Sequence, residues 1–390
     1  MANIAFFCIP AHGHTNPTLG VVRELVSRGH LVRYYSYDMF REKIEATGAV
    51  FVSCDAFGSQ PEARDAAQAV TDLAQSTKLL VDTTLAVDDA ICEDLRITKP
   101  DCIVADSMAL WGKAIARKLQ IPFICSTTTF AFNQHSSKIM KQSLRQVLGM
   151  LLAMPKVNRQ IKRLQKKGYP FHSILDIVSN DDNTHTIVYT SPEFQPCAET
   201  FSQRYAFVGP SIRPAEGCVE KRRAKLVYLS MGTVNNDMIE LYRGCIRKFA
   251  QRDYHLILSV GTQVPMDSFG PLPEHIEVHP HVDQIAVLSQ ADVFISHCGM
   301  NSVSESLYFG VPLVLLPQTP EQEGVCNRVL ELGAGIRPGH MEPGQILQAV
   351  ERLLTQPSYR QQAQTIAVSL RRCGGAKAAA DKIEQVIAFP

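Results

Sequence analysis

The sequence predicts an α/β protein built as two successive parallel-sheet domains, and three observations carry that prediction. Short apolar runs alternate with segments of helical periodicity along the chain, as βα units that close into a helix-covered parallel sheet do. Near the middle, Gly209-Pro210-Ser211-Ile212-Arg213-Pro214-Ala215-Glu216-Gly217 breaks the alternation, as the Gly and Pro density of a linker would. The 390 residues also exceed what one core organises, at ~150 residues per domain.

The elements follow in order. Residues 4–9 read as a strand. Asn16-Pro17 has the form of an N-cap followed by proline at the first helical position. That predicts a helix running to about residue 28, with Gly29 as a left-handed stop. Residues 31–36 are the next strand, 38–47 a helix stopped at Gly48, and 50–53 a third strand. Helix fills roughly 61–97, followed by strand 102–105, helix 108–119 and strand 123–126. Residues 136–167 read as helix interrupted at Pro155, and strands near 186–189 and 205–208 close the first half. The second half restarts with strands 225–229, 255–260, 276–279, 293–296 and 313–316, and ends on a helix over 376–388. The domains so delimited are 1–208 and 224–373, joined by a linker over 209–223.

Composition narrows the class. With 45% hydrophobic and 20% charged residues the balance is globular. A formal net charge of +1 gives no case for nucleic acid, which needs a clustered basic surface. The eleven cysteines are odd in number and form no CxxC pair, so they fit a reducing compartment better than a disulfide framework. Residues 4–9 lack the basic flank and cleavage site of a signal peptide, and no apolar run reaches ~18 residues. A cytoplasmic protein is the expectation. Residues 136–169 concentrate Lys and Arg among Leu and Met. A solvated helix face is the common reading of such a pattern, and a weak membrane-surface contact through 138–167 is the other.

In open parallel sheets ligands bind beyond the carboxyl ends of the strands, so the loops there are where chemistry is sought. The first is Pro10-Ala11-His12-Gly13-His14-Thr15-Asn16-Pro17. His14 suits a general base, because an ordinary imidazole titrates near ~6.5. It needs a carboxylate to orient it, and Asp106, at the end of strand 102–105, is the candidate; capping of the following helix is the competing role for that residue. In the second half, Ser230-Met231-Gly232-Thr233 offers small residues and backbone N–H groups suited to phosphate. Ser296-His297-Cys298-Gly299-Met300-Asn301-Ser302 opens a helix and is an anion site by its N-terminus. There His297 adds a donor, and Glu305, one turn on, an acceptor for a ribose diol. Pro317-Gln318-Thr319-Pro320-Glu321-Gln322 offers Glu321 as acceptor and Gln322 as mixed donor and acceptor for a sugar's vicinal hydroxyls. Two H-x-H pairs, His12/His14 and His279/His281, raise metal ligation, but the chain has no Asp-x-Asp and no H-E-x-x-H. Dinucleotide and P-loop fingerprints are also missing.

These residues resemble a known family. The stretch Val282-Asp283-Gln284 through His297-Cys298-Gly299-Met300-Asn301-Ser302 to Glu305, then Glu321-Gln322, looks like the donor-binding signature of the UDP-glycosyltransferase superfamily. Gly13-His14-Thr15-Asn16-Pro17 looks like that family's acceptor-side loop, and the match is nearest to bacterial macrolide-type glycosyltransferases of natural-product glycosylation. The resemblance implies the GT-B fold: two Rossmann-like domains facing across a cleft, with the terminal segment 374–390 packing back on the first. It implies acceptor binding by the first domain and donor binding by the second. His14 would be the catalytic base and Asp106 its partner. Ser230, Gly232, Thr233, His297, Gly299, Asn301 and Ser302 would hold the diphosphate; His281, Val282 and Gln284 would serve the nucleoside, Glu305 the ribose, and Glu321 and Gln322 the sugar. His281 stands where the family often has a base-stacking Trp, and Asp283 where it usually has Pro, which implies weaker or less selective recognition of the nucleobase.

The expected activity is an inverting transfer of a hexose, glucose first, from a UDP-sugar to a hydroxyl of a small apolar acceptor, aromatic, macrolide or other. The UDP-sugar is a co-substrate, with no covalently bound cofactor, no metal and no nucleic-acid partner, in a monomer or homodimer. A sugar-nucleotide epimerase and a non-catalytic sugar-nucleotide-binding protein are the alternatives. Phe57, Met108, Trp111, Phe130, Phe132 and Met140 are candidates for an apolar acceptor pocket, with core packing an equal reading for each.

Overall fold

In a computed structural model, described over residues 1–55, 72–136, 144–178, 183–232 and 237–389, the chain forms two compact units. The first comprises Met1–Tyr189, Cys197–Ser211 and Gly374–Pro390; the second comprises Thr190–Pro196 and Ile212–Cys373.

The first unit is a seven-stranded sheet of β1 (Asn3–Phe7), β2 (Leu31–Ser36), β3 (Val50–Ser53), β4 (Cys102–Asp106), β5 (Phe123–Thr127), β6 (His185–Val188) and β7 (Tyr205–Phe207), in the order β3-β2-β1-β4-β5-β6-β7. Every pairing is parallel. Strand side chains alternate between faces. Ile4, Phe6, Val32, Tyr34 and Val104 therefore pack on one side with Val21, Val22 and Leu25, while Ala5, Phe7, Tyr35, Ile103 and Ala105 pack on the other with Ile91, Leu95 and Ile115. Helices thus cover both faces, which explains why the strands read as unbroken apolar runs rather than alternating ones.

The covering helices are α1 (His12–Ser27), α2 (Arg41–Glu45), α3 (Leu73–Thr98), α4 (Leu110–Leu119), α5 (Leu144–Lys166) and α6 (Ile174–Val178). The terminal helix Ala376–Ala388 lies in this unit, with Ala379, Ala380, Ile383 and Val386 in the same cluster as Val21, Val22 and Leu25. Its outer edge is fastened by Arg28, whose Nη1 donates to Asp381 Oδ1 at 2.6 Å and Glu384 Oε2 at 2.7 Å.

Two helix boundaries differ from the sequence reading. α1 begins at His12, a turn before Asn16-Pro17, because extended Ala11 accepts from the N–H groups of His14 (3.0 Å) and Thr15 (2.9 Å). Pro17 then sits inside the helix, where its ring removes the N–H that would bond the carbonyl four residues back. α5 runs through Pro155 without interruption. The predicted stretches over 56–71 and 137–143 lie outside the described residues.

The second unit is a six-stranded sheet of β8 (Lys225–Ser230), β9 (Tyr254–Ser259), β10 (Ile276–His279), β11 (Val293–Ser296), β12 (Leu313–Leu315) and β13 (Gly335–Ile336), in the order β10-β9-β8-β11-β12-β13 and again all parallel. Its helices are α7 (Ile239–Phe249), α8 (Gln284–Gln290), α9 (Met300–Tyr308), α10 (Pro320–Glu331), α11 (Pro343–Thr355) and α12 (Pro357–Arg372), and the terminal helix above is α13. One core joins Val227, Leu229, Leu256, Leu258, Val293 and Ile295 to Tyr242, Cys245, Phe249, Ile346 and Val350. The short segment Thr190–Pro196 belongs here because Arg328 holds it: its Nε and Nη2 donate to the carbonyls of Phe194 (3.0 Å) and Glu193 (2.7 Å). The predicted linker 209–223 is divided between the units after Ser211.

Candidate functional site

Both sheets reverse strand order at one place, where the chain stops adding strands on one side and starts on the other. In the first unit that switch lies between β1 and β4, in the second between β8 and β11. Ligands of open α/β sheets bind at such points; His14, Asp106, Ser230, Gly232, His297, Gly299, Asn301 and Ser302 lie on or after the strands that flank them, whereas His281, Val282 and Gln284 follow β10 and Glu321 and Gln322 follow β12.

In the first unit, Phe7 pairs with Ala105 and Asp106 with Ser126, so the carboxyl ends of β1, β4 and β5 lie side by side. His14, on the first turn of α1, reaches over this edge, and its Nδ1 lies 2.8 Å from Asp106 Oδ2. The Asp106 side chain is fully buried, while a fifth of the His14 side chain remains exposed. A buried carboxylate accepts, so Nδ1 carries the proton and the lone pair is left on Nε2. Of the two roles open to Asp106, the helix cap is not the one it takes: α4 has Ala109 as its N-cap with no side-chain cap, and Asp106 Oδ1 instead accepts from the N–H of Met108 at 2.8 Å in the turn before that helix, while Oδ2 faces the imidazole. Thr128, just beyond β5, places Oγ1 3.3 Å from His14 Nδ1. The sequence reading passed over this hydroxyl, although the rule of searching loops after strands covers it.

In the second unit, Ser230 and Ser296 end paired strands, and His297 follows directly. A Cβ on Gly232 or on Gly299 would stand 2.6 Å from His297 Nε2, so the imidazole fits only because both flanking turns are glycine. Gly232 also has φ +84°, which penalises any other residue. Burial pushes the His297 imidazole down to about 4, against a smaller upward pull from the Ser230 carbonyl, so it is neutral near pH 7. Its Nδ1 is buried without a hydrogen-bond partner among the described residues. Gly299 is the N-cap of α9 and no side chain caps that helix; Asn301 and Ser302 lie in its first turn. This end of the helix favours an anion. Thr233 lies outside the described residues.

The residues assigned to nucleoside and ribose form a connected cluster. Gln284 Nε2 donates to Glu305 Oε2 at 2.6 Å and to Ser302 Oγ at 3.3 Å, while Tyr228 donates to Gln284 Oε1 at 3.2 Å. Burial raises the Glu305 carboxyl to about 6, opposed by the Gln284 hydrogen bond. His281 is exposed and Val282 half-buried. Val282 and Asp283 help line a cavity of about 370 Å³ with residues 217–220 and 222. Asp283 has a structural role that the sequence did not reveal: Oδ1 caps α8 through the N–H groups of Ile285 (3.1 Å) and Ala286 (3.3 Å) and accepts from Arg213 Nη2 at 2.6 Å, and Oδ2 accepts from the Glu216 N–H at 2.7 Å.

Other assignments change. Gln322 was expected to offer both a donor and an acceptor, but its Oε1 already accepts from the N–H groups of Gln318 (2.8 Å) and Thr319 (3.2 Å) in the capping box of α10. Only its Nε2 remains to offer. Glu321 sits beside it on the first turn of α10. Trp111 and Phe130 are buried, whereas Met108 and Phe132 are exposed; Phe57 and Met140 lie outside the described residues. In the two H-x-H pairs the rings have other company: His12 packs edge-on against Phe40 at 5.0 Å, His14 meets Asp106, and His279 Nε2 lies 3.0 Å from Glu277 Oε2. Among the described residues no group of three or more His, Cys, Asp or Glu could hold a metal ion.

The chain is similar to known proteins. Residues 245–372 match the family model described as Erythromycin biosynthesis protein CIII-like, C-terminal domain. The chain is 31% identical to a Bacillus subtilis protein named Uncharacterized UDP-glucosyltransferase YojK, over 99% of this chain and 98% of that one. It is 30% identical to the demethyllactenocin mycarosyltransferase of Streptomyces fradiae, over 99% of this chain and 87% of that one. Among solved structures, CalG4, the calicheamicin glycosyltransferase, aligns at a TM-score of 0.81 and 28% identity, covering 100% of this chain and 99% of that one.

Proposed function

The chain belongs to the UDP-glycosyltransferase superfamily, in its bacterial macrolide-type branch of GT-B enzymes, and from that premise we propose that it moves a hexose, glucose first, from a UDP-sugar to a hydroxyl of a small apolar acceptor, with inversion and with His14 as general base. Use of a nucleotide-sugar donor is common to the family; the sugar, the base and the stereochemistry are our reading. The observation that carries it is the 2.8 Å contact of His14 Nδ1 with Asp106 Oδ2, which leaves Nε2 as the proton acceptor. The name of the Bacillus subtilis relative supports uridine and glucose. The Streptomyces relative, named for another sugar, supports a natural-product acceptor.

The acceptor is assigned to the first unit and the donor to the second. As the acceptor oxygen attacks the anomeric carbon, its proton passes to His14 Nε2, and Asp106 stabilises the imidazolium. The bond from the anomeric carbon to the diphosphate oxygen breaks, and its electron pair leaves with the nucleoside diphosphate. General-base help is worth about 10²–10⁴ in rate, or roughly 3–5 kcal/mol. The leaving group is met by the N-terminus of α9 and by neutral His297, in the role a metal plays elsewhere. Glu305 accepts from the ribose, Gln284 backs it, and Glu321 with the Gln322 amide serves the sugar hydroxyls.

The test is His14→Ala with a panel of UDP-sugars and hydroxylated apolar acceptors, followed by mass spectrometry and by nucleotide titration. Glycoside formation should vanish while nucleotide affinity stays within about twofold, and excess chelator should leave the wild-type rate unchanged. Parallel loss of transfer and nucleotide affinity would make His14 structural. A chelator-sensitive rate restored by a divalent cation would overturn the metal-free mechanism, and a new sugar nucleotide formed without acceptor would mean an epimerase.

A further inference from the structure

We propose that the outward face of α5 docks the first unit onto an anionic lipid surface. α5 turns Val157, Ile161 and Leu164 inward, where they are buried in one cluster with Val81, Leu110 and Ala114. Those positions are spaced by four and three residues, so they share one side of the helix. The other side carries Leu152, Lys156, Arg159, Lys162 and Lys166, spaced by four, three, three and four, a continuous stripe at 3.6 residues per turn. All five are exposed.

The stripe differs from an ordinary solvated face in two ways. The first is its charge. Surface cations usually alternate with carboxylates, and Arg163 does have such a partner in Asp82, besides the amide oxygen of Gln160. Among the described residues, Lys156, Arg159, Lys162, Lys166 and the neighbouring Lys167 have none. Residues 107–175 contain twelve Lys or Arg and no Asp or Glu, in a chain whose net charge is only +1. The cations are therefore concentrated along this stretch of sequence; Lys118 and Arg163 find acids in Asp88 and Asp82 of the neighbouring α3, while among the described residues the cations of the stripe are left uncompensated.

The second is apolar exposure. Leu151 and Leu152, on the turn before the cations, are 63% and 72% exposed, and Met150 beside them is 39% exposed. The inward face of the helix already supplies its packing, so these side chains are not needed for the fold. Open leucines next to unpaired cations fit the boundary between headgroups and acyl chains: leucine enters the acyl region while Lys and Arg stems extend to the phosphates. A nucleic acid would satisfy the charge but offers nothing to the leucines, which favours lipid. No helix among the described residues is long and apolar enough to cross a membrane, so the attachment proposed is peripheral and reversible. It does not depend on which acceptor the enzyme uses.

The experiment is co-sedimentation of the whole chain with vesicles of phosphatidylcholine alone or with about 30% phosphatidylglycerol, at about 0.05 M and 0.5 M salt. Partitioning should favour the anionic vesicles at least ~10-fold at low salt and lose that preference at high salt. At roughly fivefold per cation near an anionic surface, Lys156→Gln/Arg159→Gln/Lys162→Gln should weaken it by about 100-fold. Leu151→Ser/Leu152→Ser should reduce binding to anionic vesicles at both salt levels. All five positions are solvent-facing, so thermal melting should be unchanged, and the wild-type salt response needs no variant. At low salt, equal partitioning onto both vesicle types, no partitioning at all, indifference to the triple substitution, or tighter binding to duplex DNA at matched phosphate would each overturn the proposal.

Discussion

Asp106→Asn separates the two duties of one carboxylate. Asp106 Oδ1 accepts from the Met108 N–H at 2.8 Å and Oδ2 meets His14 Nδ1 at 2.8 Å. An asparagine in the same pose keeps a carbonyl oxygen on the Met108 side and turns an NH₂ toward the imidazole. Two donors cannot share that contact, so the ring changes tautomer: Nδ1 becomes the acceptor and Nε2 gains the proton. The general base is then blocked, and the charge that stabilised the imidazolium is gone. The expected loss is the general-base contribution, about 10²–10⁴ in kcat or roughly 3–5 kcal/mol. Stability should fall by less than about 1 kcal/mol because the turn hydrogen bond to the Met108 N–H survives; Asp106→Ala, which also loses that bond, should cost about 1 kcal/mol more. Steady-state release of nucleoside diphosphate in the presence of acceptor, paired with thermal or denaturant unfolding, reads both quantities. If Asp106→Asn keeps most of its activity, or melts as early as Asp106→Ala, the tautomer argument fails.

Two further outcomes follow from the second unit. Gly232→Ala puts a Cβ 2.6 Å from His297 Nε2 at φ +84°. The left-handed backbone costs about 1–2 kcal/mol and the imidazole must move, so calorimetric nucleotide affinity should drop at least ~10-fold; undiminished affinity would remove His297 from the diphosphate site. Acid titration should show two opposed slopes. His297, depressed to about 4 from an ordinary ~6.5, binds fewer protons when folded, so its contribution to stability is lost as pH falls from about 6.5 towards 4. Glu305, raised to about 6 from 4.5, binds more protons when folded, so its contribution is present at low pH and lost as pH rises from about 4.5 to 6. Each is on the order of 2–3 kcal/mol, so they nearly cancel between about pH 4.5 and 6. Glu305→Gln should expose a steeper acid loss and His297→Gln the reverse slope, read by denaturant midpoints; identical profiles in both variants would contradict the assignment.

How much of this was legible in the sequence depends on the kind of interaction. The strands were legible because both sheets are buried on two faces, and Val50–Ser53, Ile276–His279 and Val293–Ser296 have the bounds read from apolar runs alone. β13, of two residues, and α6, of five, are too short to show a period. The start of α1 was misjudged because Asn16-Pro17 is a good local starting signal, whereas the helix opens a turn earlier on backbone hydrogen bonds to the Ala11 carbonyl. At the site, His14 and Asp106 were legible because each stands alone after a strand end. The Gln284–Glu305–Ser302 cluster and the capping duty of Gln322 were not, because each depends on a side-chain orientation toward residues distant in sequence or already engaged with the backbone.

Asp283 shows why a departure from a family pattern needs the structure before it is interpreted. From sequence, an aspartate in place of the usual proline weakens the case for a selective nucleobase site. In the fold the same carboxylate caps α8, the helix that begins with Gln284, and fastens Arg213 and the Glu216 N–H to it. Proline would supply neither the cap oxygen nor the anion. The Arg213 pairing and the hydrogen bonds hold the Asp283 carboxyl below its usual range although burial pushes it up, so it remains an anion near neutral pH. Gln284 in turn donates to Glu305, the residue proposed for the ribose. The substitution that appeared to loosen one contact with the base therefore stiffens the wall on which the ribose contact is built. Any loss of base selectivity should then be traced to His281, which is exposed and presents a smaller ring than the Trp it replaces, and not to Asp283.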